Sequence, residues 1–106
     1  MTNRIILAGV YYHQKYPGSL IFYRLDEHYV AFEADAERAA KVLQRNIITN
    51  PEGVDCLQLL RSEFLDAVEL LTMCGISVKG ISYRDDSGEY AVPDVKILIE
   101  EEEIDY

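Results

Sequence analysis

A chain of 106 residues is long enough for one domain built around a single core. Its 49% hydrophobic and 27% charged residues match a soluble globular domain, and no apolar run is long enough to cross a bilayer. Nineteen acidic against ten basic side chains give a net charge of -9. That balance disfavours binding nucleic acid by charge alone, because such affinity comes largely from phosphates neutralised by Lys and Arg.

At the N-terminus, Arg4 is the one basic residue before a short apolar run, Ile5 to Val10. A signal peptide needs a longer apolar stretch and a small-residue cleavage site, so none is expected. Residues 5–16 admit two readings. Ile6, Val10, His13 and Tyr16 fall near helical spacing, whereas Ile5-Ile6-Leu7 could open a strand. Pro17-Gly18 ends the element either way. Leu20-Ile21-Phe22-Tyr23 is continuously apolar, the pattern of a strand buried on both faces. Asp26-Glu27 is read as a turn and His28 to Phe32 as the returning strand, with His28, Val30 and Phe32 on one face.

Asp35 is placed as the N-cap of a helix that buries Ala36, Ala39, Ala40 and Leu43 and exposes Glu37 and Lys41. Ile47 to Thr49 is a short strand, Asn50 to Gly53 a loop, and Val54 to Leu60 an extended segment. Ser62 is expected to cap a second helix that buries Phe64, Ala67, Val68 and Leu71, with Glu63, Asp66 and Glu69 outward, and Gly75 to terminate it. Ile76 and Val78 alternate in one phase and Ile81 and Tyr83 in the other, which predicts a bulge at Gly80. Arg84 to Glu89 reads as a hairpin loop and Val95 to Ile99 as the last strand. Glu100 to Glu103 and Asp105 make an acidic segment, residues 100–106, which reads as a solvated end or as a contact for a basic partner. The fold class is therefore α+β: a mixed sheet with helices packed on it, in one domain over residues 1–106.

Residues 15–43 read KYPGSLIFYRLDEHYVAFEADAERAAKVL. This segment resembles the opening module of the MutS mismatch-repair family, where Y-P-x-x-L-x-F-Y-R-x-G-D-F-Y-E-x-F-x-x-D-A-x-x-A-A carries the residues that probe a mispaired base. The resemblance spans roughly Tyr12 to Ile99 in element order, and it implies the same α+β fold. In the family the strand after the turn reads F-Y-E; the Phe stacks beside the mispaired base and the Glu hydrogen-bonds to it. Here the aligned triplet is His28-Tyr29-Val30. His28 can still stack, whereas Val30 can neither donate nor accept a hydrogen bond. Family members that act as the non-probing subunit also lack the Glu. Asp26-Glu27 replaces the Gly-Asp turn and adds a negative charge. Arg24 matches the Arg of F-Y-R and is read either as a phosphate contact or as a surface ion-pair partner of Asp26, Glu27 or Glu33. The resemblance thus marks Arg24, His28, Tyr29 and Val30 as candidate DNA contacts. Beside it stands the plainer reading, in which His28 is an exposed strand residue and Tyr23 and Tyr29 are core and rim residues.

No catalytic constellation or cofactor site is expected. His13, His28, Cys56 and Cys74 lack the close spacing of zinc ligands. There is no Walker A loop, so the ATPase of full-length MutS proteins is missing. Two cysteines do not make a disulfide scaffold and are read as reduced, in a cytoplasmic protein. Two functions remain. One is an accessory role in mismatch repair with weak, non-specific duplex DNA binding. The other is a non-catalytic module that binds a basic protein through an acidic surface.

Overall fold

A computed structural model describes residues 3–98. Helix α1 (Asn3–Lys15) leads into strand β1 (Leu20–Leu25), a tight turn, strand β2 (His28–Phe32) and helix α2 (Ala34–Leu43). Strands β3 (Ile48–Thr49) and β4 (Asp55–Leu60) follow. A single 3-10 turn, Arg61–Glu63, then runs into helix α3 (Phe64–Met73), and strand β5 (Val78–Ile81) completes the sheet. The strand order is β3-β4-β2-β1-β5. All neighbours are antiparallel except β1 and β5, which are parallel, so the sheet is mixed and the fold α+β.

The sheet has a helical layer on each face, which is why Leu20 to Tyr23 of β1 are apolar without a break. Leu20 and Phe22 join Ala31, Leu57 and Leu59 beneath α2 and α3, where Ala36, Ala39, Ala40, Ala67 and Leu71 complete one core. Ile21 and Tyr23 face the other way, against Ala8 and Tyr12 of α1 and Val92 and Val95 of the C-terminal segment. Alternate side chains of one strand therefore serve two separate cores. The alanines of α2 let that helix lie close to the sheet, as their spacing predicts.

Several expectations are corrected. Residues 5–15 are helical and Tyr16 lies just past the helix end; the inward stripe is Ala8 and Tyr12, while Ile6 and Val10 are half exposed. Asp35 does not cap α2. The N-cap is Glu33, with no side-chain cap bond, and Asp35 lies buried inside the first turn. Ser62 does not cap α3 either: Glu63 Oε1 accepts the Leu60 N–H at 3.0 Å, and the Glu63 carboxylate holds Arg45 through bonds of 3.0 and 3.1 Å. The Arg45 hydrogen bond, then that of Leu60, keeps the Glu63 carboxyl below its usual range. Gly75 ends α3 with φ +80 as expected, its N–H bonded to Thr72 O.

No bulge occurs at Gly80. It pairs in regular register with Phe22, and a Cβ there would lie 3.5 Å from Phe64 Cζ and 3.6 Å from Tyr29 Cε1. Those are ordinary contact distances, and the apparent change of phase is only a position without a side chain in a regular strand. The predicted last strand is also absent. Residues 95–98 are helical, because Val95 and Leu98 cover the α1 side of the sheet instead of extending its edge. Ile99 and the acidic segment 100–106 lie outside the described residues.

Candidate nucleic-acid interface

The β1–β2 hairpin carries all four candidate DNA contacts, and its register divides them. Arg24 pairs with Tyr29, Tyr23 with Val30, and Leu25 with His28. Side chains alternate, so Arg24 and Tyr29 lie on the α2/α3 face, and His28 and Val30 on the α1 face. Val30 is 3% exposed. Its side chain is therefore part of the folded interior and presents no surface to a duplex. His28 is half-buried at the start of β2, beside the exposed acids Asp26 and Glu27. Asp26 takes φ 54 in the turn. That left-handed conformation suits the glycine of the family pattern, and Asp is among the few other residues that tolerate it.

Arg24 pairs with none of Asp26, Glu27 and Glu33, the three acids open to it in sequence. Its Nη1 donates to Tyr90 Oη at 3.0 Å, and its guanidinium carbon lies 3.9 Å from the centre of the Tyr90 ring. Arg84 comes to the same ring from the opposite strand of the 84–90 hairpin. Its Nη2 donates to Tyr90 Oη at 3.0 Å, with Cζ 4.5 Å from the ring centre. The Arg84 hydrogen bond, and then the positive charges of Arg24, Arg84 and Arg61, lower the Tyr90 phenol below its ordinary range. Tyr29, opposite Arg24, stacks on Phe64 at 3.8 Å with the rings 8° from parallel. The result is a patch of arginine and aromatic side chains on one end of the sheet, bordered by the acidic turn.

Tyr90, Arg84 and Phe64 are not among the residues singled out in sequence. A partial signal existed for two of them. Arg84 and Tyr90 flank the recognisable turn Asp85-Asp86-Ser87-Gly88, and residues that flank a hairpin turn face each other; they form a β-bridge. Nothing in sequence linked either to Arg24, which is 66 residues from Tyr90.

The acid of the D-A pair in the resembling segment has a structural task. Asp35 Oδ2 accepts from His13 Nε2 at 2.7 Å and from the Ile21 N–H at 3.3 Å. Pairing of β1 with β2 reaches only Tyr23, so Ile21 lacks a strand partner on that side and the carboxylate replaces it. His13 Nδ1 lies 2.5 Å from Gly9 O, so each ring nitrogen faces an oxygen acceptor. Above this group is a cleft of about 220 Å3 lined by Ile6, Val10, His13, Tyr23, Phe32 and Asp35 among others. The Tyr23 hydroxyl is buried there without a hydrogen-bond partner, and burial, then the Tyr12 and Asp35 charges, push it well above the usual phenol range.

Among the described residues no three His, Cys, Asp or Glu side chains come together in a metal-binding arrangement, and no helix is long and apolar enough to cross a membrane. Cys56 is buried, Cys74 is exposed, and both are free.

Comparison with curated proteins returns no match. Comparison with family models matches MutS domain I over residues 10–84. That span takes in the hairpin, α2, α3 and β5, and stops before Tyr90 and the C-terminal segment. The chain belongs to the MutS domain I family.

Proposed function

We propose that this chain is a non-catalytic DNA-contacting domain related to mismatch repair, which engages duplex DNA weakly and does not distinguish a mismatch from a matched pair. The observation that carries this reading is the pair Val30 and His28 at the two probe positions. Val30 is buried and has no hydrogen-bonding atom to offer a base. The net charge of -9 adds a general repulsion from phosphate, so binding is weak and strongly salt-dependent. The proposal takes residues 1–106 as one domain. The free cysteines fit a reducing compartment, the cytoplasm.

Fluorescence anisotropy with matched and singly mismatched duplexes at low salt tests the reading. Equal, weak binding to both is expected. A tenfold preference for the mismatch, about 1.4 kcal/mol, overturns it, as does no measurable binding to either.

A second reading, a protein-interaction module, is favoured by α3. Leu65, Leu70 and Met73 are 78%, 51% and 76% exposed on a helix that also carries the outward acids Asp66 and Glu69. An exposed helix face on which apolar side chains alternate with acids fits a protein surface that offers both apolar and basic side chains. Met73→Glu separates the two readings: duplex affinity falls no further than the added charge requires if DNA is the partner, since Met73 is at the opposite end of α3 from Phe64, the ring that stacks on Tyr29 of the hairpin.

A further inference from the structure

We infer that Arg24, Arg84 and the Tyr90 hydroxyl form an anion site for a phosphate ester, which, on the DNA-binding reading above, holds one backbone phosphodiester of a duplex. Two guanidinium groups from segments far apart in sequence each donate to the same phenol oxygen at 3.0 Å. Their donating nitrogens are thus no farther apart than twice that distance. Among the described residues neither arginine has a carboxylate within ion-pair distance. The acid of the same hairpin, Asp85, is turned away: its Oδ1 accepts from Ser87 N–H at 2.9 Å, Ser87 Oγ at 2.5 Å and Glu89 N–H at 3.2 Å. Two like charges held side by side without a counter-charge repel each other, and an anion seated between them removes that cost.

The donor geometry fits phosphate. Arg24 Nε is buried and Arg84 Nη1 donates to Gly88 O at 3.4 Å, so the hydrogens left on the terminal nitrogens are the donors open to a phosphate, and stacking on the Tyr90 ring holds both groups in place before any ligand arrives. Tyr90 Oη accepts from both arginines, so its own hydrogen is left to donate outward. Arg61, exposed at the start of the 3-10 turn, adds positive potential near the phenol. The stacked Tyr29 and Phe64 rings border Arg24 on the same face, giving a duplex edge an apolar shelf beside the phosphate. The acidic turn Asp26-Glu27 limits affinity and sets the salt dependence.

The test uses the full chain. Inorganic phosphate is titrated into 15N-labelled protein, with chloride at matched ionic strength as control, and a short duplex is titrated separately by anisotropy. Saturable shifts of the Arg84, Gly88 and Tyr90 amides are expected with phosphate and not with chloride. Arg84→Gln should weaken both phosphate and duplex binding at least threefold and reduce the slope of log affinity against log salt by about one. Lys41→Gln, which removes an equal charge from the exposed side of α2, should do less. Arg84 is exposed, so its replacement leaves the fold intact; Arg84→Lys gives an intermediate loss and serves as a second variant. Phosphate binding without duplex binding supports the anion site and sinks the DNA-binding reading. Duplex binding indifferent to Arg84→Gln overturns the site and leaves that reading standing. Shifts that follow chloride as readily as phosphate overturn the site as well.

Discussion

His13 of α1 and Asp35 of α2, 22 residues apart, meet at 2.7 Å, and the same carboxylate oxygen holds the Ile21 N–H of β1. One side chain thus ties together the first helix, the central strand and the second helix. The carboxylate replaces a strand partner that β2 no longer supplies at that position.

Asp35→Ala is expected to cost about 1–3 kcal/mol, because it leaves a buried strand N–H without an acceptor. His13→Ala should cost under about 1 kcal/mol, since the imidazole is largely exposed and loses only a partly screened bond. Urea denaturation of both single variants and the double variant measures the coupling. Equal losses for the two single variants would show that the Ile21 bond contributes nothing.

Ala39 and Ala40 are 0% and 6% exposed against the sheet. Ala40→Leu should lower stability by about 1–3 kcal/mol through overpacking. Arg38→Leu, on the exposed side of the same helix, should change it by under about 0.5 kcal/mol. A comparable urea midpoint for the two variants would contradict the tight seating of α2.

Two tyrosines should titrate far apart. Tyr90, lowered by its arginines, loses its proton well before Tyr23, raised by burial. A folded-state pKa above the unfolded value of 10.0 means the native state holds the Tyr23 proton more tightly. Its contribution is therefore complete below pH 10 and is lost as pH rises beyond that value. Ultraviolet difference spectra should show one tyrosine that ionises only with alkaline unfolding, and Tyr23→Phe should remove that component. Because the hydroxyl has no partner, Tyr23→Phe should leave stability at neutral pH unchanged or raise it by up to about 1 kcal/mol.

Truncation after Ile99 removes Glu100 to Glu103 and Asp105, taking the net charge from -9 to -4. Duplex affinity should rise at low salt, and the gain should vanish as screening shortens the reach of these charges. The thermal midpoint should stay nearly unchanged. Anisotropy across a salt series, with thermal melts in parallel, checks both. A truncated chain that fails to fold would show that this segment is needed to complete the domain.

Local pattern determined much of this protein from sequence alone. The continuously apolar start of β1, the Asp26-Glu27 turn, the alanine face of α2 and the Gly75 terminator each follow from short-range chemistry, and the motif from Tyr16 to Ala40 pointed to the family. Where the reading failed, the deciding contacts lay far along the chain. Asp35 sits where an N-cap belongs, but its partners are His13 and Ile21, so burial between layers outweighed its capping preference. Gly80 mimics a bulge because it puts no side chain on the face where Phe64 and Tyr29 pack, although its pairing with Phe22 is regular. Residues 95–98 alternate like a strand, yet as a helical turn they put Val95 and Leu98 on the same side, against the α1 face of the sheet. The division of Arg24 and Tyr29 from His28 and Val30 follows from strand alternation and was open to the sequence. The meeting of Arg24 with Tyr90 and Arg84 was not, because only the folded sheet brings the end of β1 against a hairpin some sixty residues later.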